Sequence, residues 1–401
     1  MPSYDLMSLA QNFYIWPMKI CIICAEYPPG PIGGVGTCVQ TAARWLSANG
    51  HQVKVIGTYP QDYPAPDYHV DQGVEVYRIK FKPGKISWVP ARYKLYKQVK
   101  NWIKNNEVDI VEANDSFGWF AFWGKLSVPL VILANGTETS FGHELGIKVN
   151  RVTNLMEKQS YMRADDYCAA SKYIARINEK YFQLTHKHTV IYNCLPQVSV
   201  VTASAEREKN LVVFSGSLIA KKGVKELIEA SLLLHSRNIK HQLVLNGKDH
   251  VDKEGRSTKA SLLEMIPENL KAYFTFNGHV TREKLYDYYT RATLAIFPSY
   301  MEAFAFAPME AMVNGCPTIF TTRVSGPELI DTGVDGILVE PSDIKQIADS
   351  IQWCIEHPTE AKRIGDAGRE KIKSTFSVEV VMPQNVAFYE RVIKQFKENK
   401  G

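Results

Sequence analysis

The sequence predicts an α/β protein built from two doubly wound domains that face one another. From Lys19 onward, short β-branched segments alternate with helical segments, which is typical of parallel sheets covered by helices. The same succession of strand, glycine-bearing loop and helix begins again near residue 211. The length of 401 residues also favours two domains, because a single hydrophobic core stops growing efficiently above about 250–300 residues.

In the first half, β-branched apolar segments predict strands and segments with helical spacing predict helices. A glycine-rich loop at 27–37 follows the first strand and opens a helix that ends at Gly50. A long helix is predicted at roughly 143–163. The further strands are predicted at 52–58, 108–115, 129–136, 165–171 and 188–194.

In the second half, the first strand at 210–217 is followed by a helix at 221–238. The later strands are predicted at 241–247, 272–280, 294–299 and 316–322. Residues 195–210 are polar and without a clear period, so they are the best linker candidate. We therefore divide the chain into an extension (1–17), a first domain (18–197) and a second domain (198–381), with the C-terminal helix (382–401) as a candidate addition to the first domain.

The composition is that of an ordinary globular protein, with 45% hydrophobic and 22% charged residues. The formal net charge of +5 is modest and no long run of Lys or Arg occurs, which argues against a nucleic-acid-binding face. No apolar run approaches the ~20 residues that span a bilayer. The first 17 residues include Asp5 and lack a basic start, so we interpret them as an extension before Met18 rather than a signal peptide.

The seven cysteines are scattered, mostly within apolar segments. Cys21 and Cys24 form a C-x-x-C motif, but their segment alternates like a buried strand, which directs the two side chains to opposite faces. No second pair of ligands follows, so the pattern favours inert buried thiols over a redox or zinc site. Reduced thiols are typical of the cytoplasm, where we expect the protein.

Two glycine-bearing loops precede helices and are suited to bind anions. In the first, Gly33 and Gly34 allow close approach of the backbone, and the following helix start favours negative charge. This loop does not match G-x-G-x-x-G, so a dinucleotide fingerprint is poorly supported, and a tight turn without ligand is the alternative. In the second, Lys221 and Lys222 follow Gly216 and form an electropositive corner suited to a diphosphate; solvated surface lysines are the alternative.

The segment 297–322 places two carboxylates, Glu302 and Glu310, eight positions apart in an apolar, alanine-rich stretch. With Pro308 at the first position of a helix, Glu310 would lie in the first turn and Glu302 in the loop after a strand. Ligands bind at this edge of parallel sheets. A helix-capping acid is the alternative for Glu310, although a capping box would need Ser or Thr where Ala307 stands.

These segments carry a resemblance to a family. GSLIAKKGVKELIEA, GHVTREKLYDYY, FPSYMEAFAFAPMEAMVNGCPTI, SGPELI and GVDGILVEPSD together resemble the family 4 retaining glycosyltransferases, which have the GT-B fold of two facing Rossmann-like domains with an interdomain cleft. EYPPGPIGGVGT and GHQVKVIG resemble the acceptor-side opening of that family. The resemblance spans nearly the whole chain from Met18 and is strongest in the second half.

The resemblance implies transfer of a sugar from a UDP- or GDP-linked donor to a hydroxyl of a sugar, lipid-linked or small-molecule acceptor. Glu310 would hold the ribose hydroxyls, Glu302 the sugar, and Lys222 would neutralise the diphosphate. No metal or other cofactor is expected, since lysines and helix dipoles replace the divalent cation. The residues implied in donor binding are Gly33, Gly34, Gly216, Ser217, Lys221, Lys222, Gly278, Val280, Phe304, Ala305, Phe306 and Glu310.

Three positions depart from the family pattern. Ser217 stands where many members carry an arginine, and Lys221 cannot reproduce the bidentate fork of that arginine. Ala305 replaces a glycine that usually allows close approach to a phosphate. Asn135 replaces a histidine of the first domain, and an amide cannot accept the proton of a hydroxyl group.

The last departure favours a front-face mechanism, in which the departing phosphate oxygen takes the proton of the acceptor. Besides Lys222, the candidate catalytic residues are Asn135, Glu138 and Glu302, as groups that orient the substrates. Two alternatives of other classes stay open at this point. One is a nucleotide-sugar epimerase or isomerase on the same double-Rossmann architecture, and the other is a catalytically silent sugar-nucleotide binding protein.

Residues 82–106 interleave Lys and Arg with Trp88, Tyr93, Tyr96 and Trp102. Such a helix could lie at the inner face of a membrane and reach lipid-linked acceptors. The favoured alternative is a solvated helix whose aromatic residues face the core.

Overall fold

The computed structural model describes residues 17–30, 33–82, 84, 86–184, 186–196 and 207–400. It contains an eight-stranded sheet in the first half of the chain and a six-stranded sheet in the second. The predicted extension, apart from Pro17, and most of the predicted linker lie outside the described residues. The domain limits given above therefore stay predictions.

The first half alternates strands and helices as the sequence predicts. Its strands are β1 (Lys19–Ile23), β2 (Gln52–Pro60), β3 (Tyr68–Asp71), β4 (Val74–Phe81), β5 (Ile110–Asn114), β6 (Leu130–Ala134), β7 (Asp166–Ala169) and β8 (Thr189–Val190). Its α-helices are α1 (Gly34–Ala48), α2 (Trp88–Lys104), α3 (Glu138–Glu144), α4 (Arg151–Arg163) and α5 (Lys172–Phe182). The strands lie in the order β3-β4-β2-β1-β5-β6-β7-β8, and only the β3–β4 pair is antiparallel.

The second half repeats this architecture with a purely parallel sheet. Its strands are β9 (Leu211–Ser215), β10 (Gln242–Asn246), β11 (Phe274–Gly278), β12 (Leu294–Phe297), β13 (Thr318–Thr321) and β14 (Ile337–Val339). Its α-helices are α6 (Val224–Ser236), α7 (Thr258–Glu264), α8 (Arg282–Arg291), α9 (Phe306–Val313), α10 (Gly326–Leu329), α11 (Ile344–Glu356), α12 (Pro358–Thr375) and α13 (Val378–Glu398). The strand order is β11-β10-β9-β12-β13-β14.

The strand order locates the ligand-binding edge of each sheet. Counted from β9, the second sheet has the doubly wound order 3-2-1-4-5-6, which reverses between β9 and β12. In the first sheet the chain reverses in the same way between β1 and β5. Ligands of open parallel sheets bind outside the carboxyl ends of the strands at such points, so the functional site is expected there.

Both faces of the first sheet are covered, as β1 shows. Ile20 and Ile22 belong to one buried cluster and Cys21 to the cluster on the other face. Cys24 lies with the first of these, so the prediction that the two thiols have opposite directions is confirmed. Burial raises the pKa of both thiols to about 12, which keeps them protonated and unreactive at neutral pH.

The last helix, α13, returns to the first half of the chain. Its residues Val386 and Phe388 belong to the buried cluster that contains Ile20. The hydroxyl of Tyr389 donates a hydrogen bond of 2.7 Å to the buried carboxyl group of Glu112, whose pKa burial raises to about 7. Within the described ranges, no helix is both long enough and apolar enough to cross a membrane.

Two predicted helices have other bounds in the structure. The helix predicted at 143–163 is wrong, since α3 and α4 are separated by a loop in which Gly146 has a φ of +66° and Asn150 caps α4. The predicted start at Pro308 is also wrong, because α9 begins at Phe306. Proline fits the third helical position because the first amides of a helix have no intrahelical partner. Glu310 therefore lies in the second turn, where it cannot cap the helix.

Candidate active site between the two sheets

Two adjoining cavities lie where the reversal points of the two sheets meet. The first has a volume of about 340 Å³ and the second about 320 Å³, and both are lined by Gly34 from the first half and Phe306 from the second. The first cavity also contacts the predicted residues Gly33, Gly216, Ser217, Val280 and Glu310. The second contacts the predicted residues Asn135, Gly216, Lys221, Lys222, Glu302, Phe304 and Ala305.

The two lysines lie on a 3₁₀ turn (Ala220–Lys222) between β9 and α6. The turn ends at Gly223, which has a φ of +67° and whose added Cβ would lie 1.9 Å from the carbonyl oxygen of Pro298. Only glycine fits there, so the turn is held closely against the end of β12. The surrounding protein lowers the pKa of Lys221, and the neighbouring ammonium group of Lys222 lowers it further. The negative charge of an anion bound at this turn would oppose both effects.

Lys222 and Glu302 form an ion pair in the second cavity. The same carboxylate oxygen accepts a hydrogen bond of 3.0 Å from the hydroxyl of Ser299, in the loop that follows β12. The side chain of Lys222 is 23% exposed and that of Glu302 is 14% exposed. Only a small part of each side chain is therefore accessible from the cavity. The two residues that the sequence predicts to hold separate parts of a donor are thus in contact with each other.

Glu310 is almost fully buried at the wall of the first cavity. Burial raises the pKa of its carboxyl group to about 7, and the guanidinium group of Arg282 partly opposes that rise. The Nε atom of Arg282 lies 3.4 Å from the carboxylate. Such a carboxylate, with few partners in the protein, is suited to accept hydrogen bonds from hydroxyl groups of a ligand.

Gly278 is the predicted donor-binding residue that the structure leaves outside both cavities. Among the described residues it does not line either one; its carbonyl oxygen accepts a hydrogen bond of 2.8 Å from the amide of Gly247. Gly247 and Lys248 do line the first cavity. Gly278 therefore contacts a residue that lines the first cavity, and does not line the cavity itself.

Asn135 follows β6 and lines the second cavity. Its side-chain oxygen accepts a hydrogen bond of 3.3 Å from Asn193, whereas its Nδ2 atom is buried with no hydrogen-bond partner among the described residues. Asp115, at the end of β5, accepts hydrogen bonds of 2.9 and 3.0 Å from the backbone amides of Asn135 and Gly136. Asp115 thus fixes the loop that presents the Asn135 amide group.

Glu138 lines neither of the two cavities, whereas Asn135 and Glu302, the residues with which it was predicted, both line the second. It begins α3 and lines a third cavity of about 760 Å³ in the first half. The backbone amides of Glu138 and Thr139 each donate a hydrogen bond of 3.1 Å to the buried carboxyl group of Glu157. The pKa of Glu157 is raised to about 7 by burial.

Contacts across the cleft connect the two halves. The carboxylate of Glu328, in α10, accepts hydrogen bonds of 2.7 and 2.9 Å from the backbone amides of Lys172 and Tyr173 at the start of α5. The hydroxyl of Ser171 donates a hydrogen bond of 2.8 Å to the carbonyl oxygen of Ala303, next to Glu302. Three residues of the site were not predicted from the sequence: Asp115, Asn193 and Glu157. Of these, only Asp115 had an indication in the sequence, because it follows a strand at a point where the strand order reverses.

Two facing doubly wound halves with charged groups at both reversal points define the GT-B class of fold. Sucrose-phosphate synthase from Thermosynechococcus elongatus has a similar structure, with a TM-score of 0.79, 20% identity, and coverage of 94% of this chain and 100% of that chain. Anabaena Alr3699/HepE in complex with UDP-glucose gives a TM-score of 0.67 at 18% identity, with coverage of 92% and 98%. At these identities the likeness shows the fold, and the predicted fold class is confirmed.

The sequence comparisons give the family. Residues 32–196 match the sequence model described as Glycosyltransferase Family 4, and residues 202–371 match the one described as Glycosyl transferases group 1. The chain belongs to the family 4 glycosyltransferases, as the motifs of the sequence indicate.

Relatives with similar sequences extend over most of the chain. Glycogen synthase of Mycobacterium tuberculosis (strain ATCC 25618 / H37Rv) is 24% identical over 93% of this chain and 94% of its own length. Mannosylfructose-phosphate synthase of Agrobacterium fabrum is 25% identical over 91% of this chain and 88% of its own length.

The variant Asp115→Asn tests the support of the Asn135 loop. An amide group in place of the carboxylate loses one acceptor and faces the loop amides with a donor, so we expect destabilisation of about 1–3 kcal/mol and faster hydrogen exchange of the amides of Asn135 and Gly136. Denaturant unfolding and exchange mass spectrometry measure both. Asp67→Asn, on a side chain that is 74% exposed, is the control and should change neither. Unchanged exchange of the loop in Asp115→Asn would contradict the assignment.

Proposed function

We propose that the protein transfers a sugar from a UDP- or GDP-linked donor to a hydroxyl group of an acceptor, with retention of the anomeric configuration. The observation that carries the proposal is the arrangement of Lys221, Lys222, Glu302 and Glu310 around two joined cavities at the reversal of the second sheet. The relatives named glycogen synthase and mannosylfructose-phosphate synthase support a sugar transfer. The neighbour solved with UDP-glucose supports a nucleotide-sugar donor.

In this proposal, the nucleoside occupies the first cavity and the sugar the second. Glu310 accepts hydrogen bonds from the ribose hydroxyls, which favours its ionised form. The diphosphate lies at the turn of Lys221 and Lys222, close to the free backbone amides at the start of α9. Two ammonium groups and a helix start supply the charge that a divalent cation would otherwise supply, so the proposal needs no metal.

The ion pair of Lys222 and Glu302 suggests how donor binding prepares the reaction. A diphosphate offers Lys222 a stronger counter-charge than one carboxylate, because it carries about two negative charges. Glu302 is then released to accept hydrogen bonds from the hydroxyls of the donor sugar. Lys222 stays with the phosphate and stabilises the negative charge that develops as the phosphate leaves.

The chemical step follows from the groups at the second cavity. The bond between the anomeric carbon and the phosphate oxygen breaks, and the acceptor oxygen forms a bond to the same face of that carbon. The proton of the acceptor hydroxyl passes to the departing phosphate oxygen, so no protein base is needed. The unpartnered Nδ2 atom of Asn135 donates to a substrate oxygen, and Glu138 orients the acceptor from the third cavity.

The proposal includes a cytoplasmic location with a peripheral contact to the inner face of a membrane. Helix α2 buries Trp102 but leaves Tyr93 58% exposed, and Ile86 just before the helix is 76% exposed. Lys94, Lys97 and other basic residues lie on the same helix, where they would attract anionic lipid.

Co-sedimentation with vesicles that contain anionic lipid tests the membrane contact. We expect binding at low salt that weakens at high salt, because the basic residues of α2 supply part of the attraction. Vesicles of neutral lipid alone are the control and should bind less protein. Recovery of all the protein in the supernatant with anionic vesicles at both salt concentrations would contradict the contact.

A panel of nucleotide sugars with and without hydroxyl acceptors tests the function itself. We expect release of UDP or GDP that an acceptor stimulates, a product whose anomeric configuration by proton NMR equals that of the donor, and an unchanged rate after addition of EDTA. A rearranged sugar still attached to its nucleotide would instead indicate an epimerase. Donor binding without any turnover would indicate a silent binding protein.

The variant Glu310→Gln tests donor binding by this residue. We expect affinity for the nucleotide sugar to fall about 10- to 100-fold at pH 8, since hydrogen bonds to a charged acceptor are lost. In the wild type, affinity should rise between pH 5.5 and 8, because burial raises the pKa of Glu310 to about 7 and the ribose hydroxyls need the ionised form. Calorimetric titration measures both effects.

In Glu310→Gln this rise of affinity with pH should disappear, whereas the exposed Glu264→Gln on α7 should behave as the wild type. The nucleotide sugar is the appropriate probe because its diphosphate diester does not titrate in this range. Equal pH dependence in the wild type and in Glu310→Gln would show that Glu310 does not hold the donor.

A further inference from the structure

The third cavity, of about 760 Å³, adjoins the candidate active site through two loops. Glu26 in its wall accepts a hydrogen bond of 3.2 Å from the backbone amide of Gly33, which lines the first cavity. Glu138 in its wall lies three residues after Asn135, which lines the second cavity. Its volume is within the range of about 300–1,000 Å³ that is typical of small-molecule sites. The cavity is therefore placed to hold an acceptor.

Three acidic residues line this cavity. Glu26 and Glu138 lie on the two loops that adjoin the active site, and the carboxyl group of Glu157 is buried. Carboxylates accept hydrogen bonds from hydroxyl groups and repel anions. A reacting hydroxyl group suits the surroundings of Glu26 and Glu138, and a phosphate or carboxylate group of a ligand does not.

Aromatic residues also line the cavity, and among its described lining residues Arg92 is the one cation. Its guanidinium group lies 5.7 Å from the ring of Trp88 and 5.1 Å from the ring of Trp119. It donates hydrogen bonds to the backbone carbonyl oxygens of Phe117, at 2.7 Å, and of Gly118. The guanidinium group is thereby held in one orientation.

Arg92 has no carboxylate partner. Within the part of the chain that the structure describes, no carboxylate oxygen lies within 4.0 Å of its guanidinium group, and burial alone lowers its pKa to about 10. A partly buried guanidinium without a counter-ion costs free energy. Its remaining N–H groups match the two oxygens of an oxyanion.

From these groups we infer that the acceptor is a hydroxyl compound with an oxyanion group, such as a sugar or polyol phosphate, whose oxyanion binds Arg92 and whose hydroxyl group lies beside Glu26 and Glu138. The inference rests on the proposed function and specifies its acceptor. The aromatic rings beside Arg92 exclude water from the ion pair and so strengthen it. A neutral acceptor leaves Arg92 without a counter-ion and binds less well.

Paired acceptors test the inference on the full-length protein. Glucose, mannose, fructose and inositol are each compared with their phosphate monoesters, with the donor found active in the nucleotide-sugar panel. We expect half-saturation by the best phosphorylated acceptor at a concentration at least about tenfold lower than by its neutral parent, the effect of one charged hydrogen-bonded pair. Quenching of tryptophan fluorescence by the same compounds without donor gives a readout that does not depend on turnover.

Arg92→Gln should reduce this preference to about twofold or less, and Arg92→Lys, which keeps the charge but not the planar fork, should retain part of it. Arg163→Gln is the matched control. Arg163 likewise donates to two backbone carbonyl oxygens, of Trp123 at 3.0 Å and Gly124 at 2.9 Å, but it does not line the cavity. The control should lose similar stability and keep the full preference for the phosphorylated acceptor.

Equal use of neutral and phosphorylated acceptors by the wild type would overturn the inference and leave the proposed function intact. An equal loss of the preference in Arg163→Gln and Arg92→Gln would also overturn it. Lack of donor binding and turnover with every acceptor would instead contradict the proposed function. Dihexanoyl phosphatidylinositol below its micellar concentration, as a further acceptor, distinguishes a lipid phosphate from a sugar phosphate, and a preference for either supports the oxyanion.

Discussion

Two ammonium groups side by side on one turn of backbone determine what the cleft can bind. Lys221 and Lys222 repel each other, and the contact of Gly223 with the end of β12 prevents the turn from moving away. Glu302 compensates one of the two charges. A diphosphate would compensate both, and the carboxylate that it displaces would face the sugar. In the proposed function, the site thus depends on an ion pair that is satisfied before the donor arrives and exchanged when it binds.

The fold provides the two conditions that this exchange requires. The reversal of strand order between β9 and β12 places the lysine turn and the Glu302 loop side by side at one edge of the sheet. The hydrogen bonds of Glu328 and Ser171 across the cleft hold the start of α5 against the second half, and the loop of Asn135 faces that edge across the second cavity. The buried carboxyl groups of Asp115 and Glu157 accept hydrogen bonds from backbone amides of that loop and of the start of α3. Gly278 holds the wall of the first cavity in a similar way, through its bond to Gly247.

The sequence predicted what is encoded locally. The alternation of strands and helices, the glycine before each phosphate-type turn and the spacing of Glu302 and Glu310 each depend on neighbouring residues, and the family and fold that they indicate are confirmed. The start of α9 was predicted wrongly because proline is tolerated anywhere in the first turn of a helix. The short antiparallel strand β3, and β4 beside it, were not predicted.

Features that depend on distant contacts could not be predicted in this way. Asp115 holds a loop 20 residues away and Glu157 holds one 19 residues away. Arg92 lies in a helix with many basic residues, and nothing in its sequence neighbourhood distinguishes it from solvated lysines. The same limit explains why Glu138 was grouped with Asn135, since three residues of chain are enough to turn a side chain into another cavity.

The exchange of the Lys222–Glu302 pair is tested most directly by the affinity of the free nucleoside diphosphate for the wild type, Lys222→Ala, Glu302→Gln and the double variant. The account predicts about tenfold weaker binding by Lys222→Ala and tighter binding by Glu302→Gln, because the second change frees Lys222 for the phosphate. The double variant should bind as Lys222→Ala does. Weaker binding by Glu302→Gln, similar to that of Lys222→Ala, would contradict the account, because the ion pair would then be needed intact.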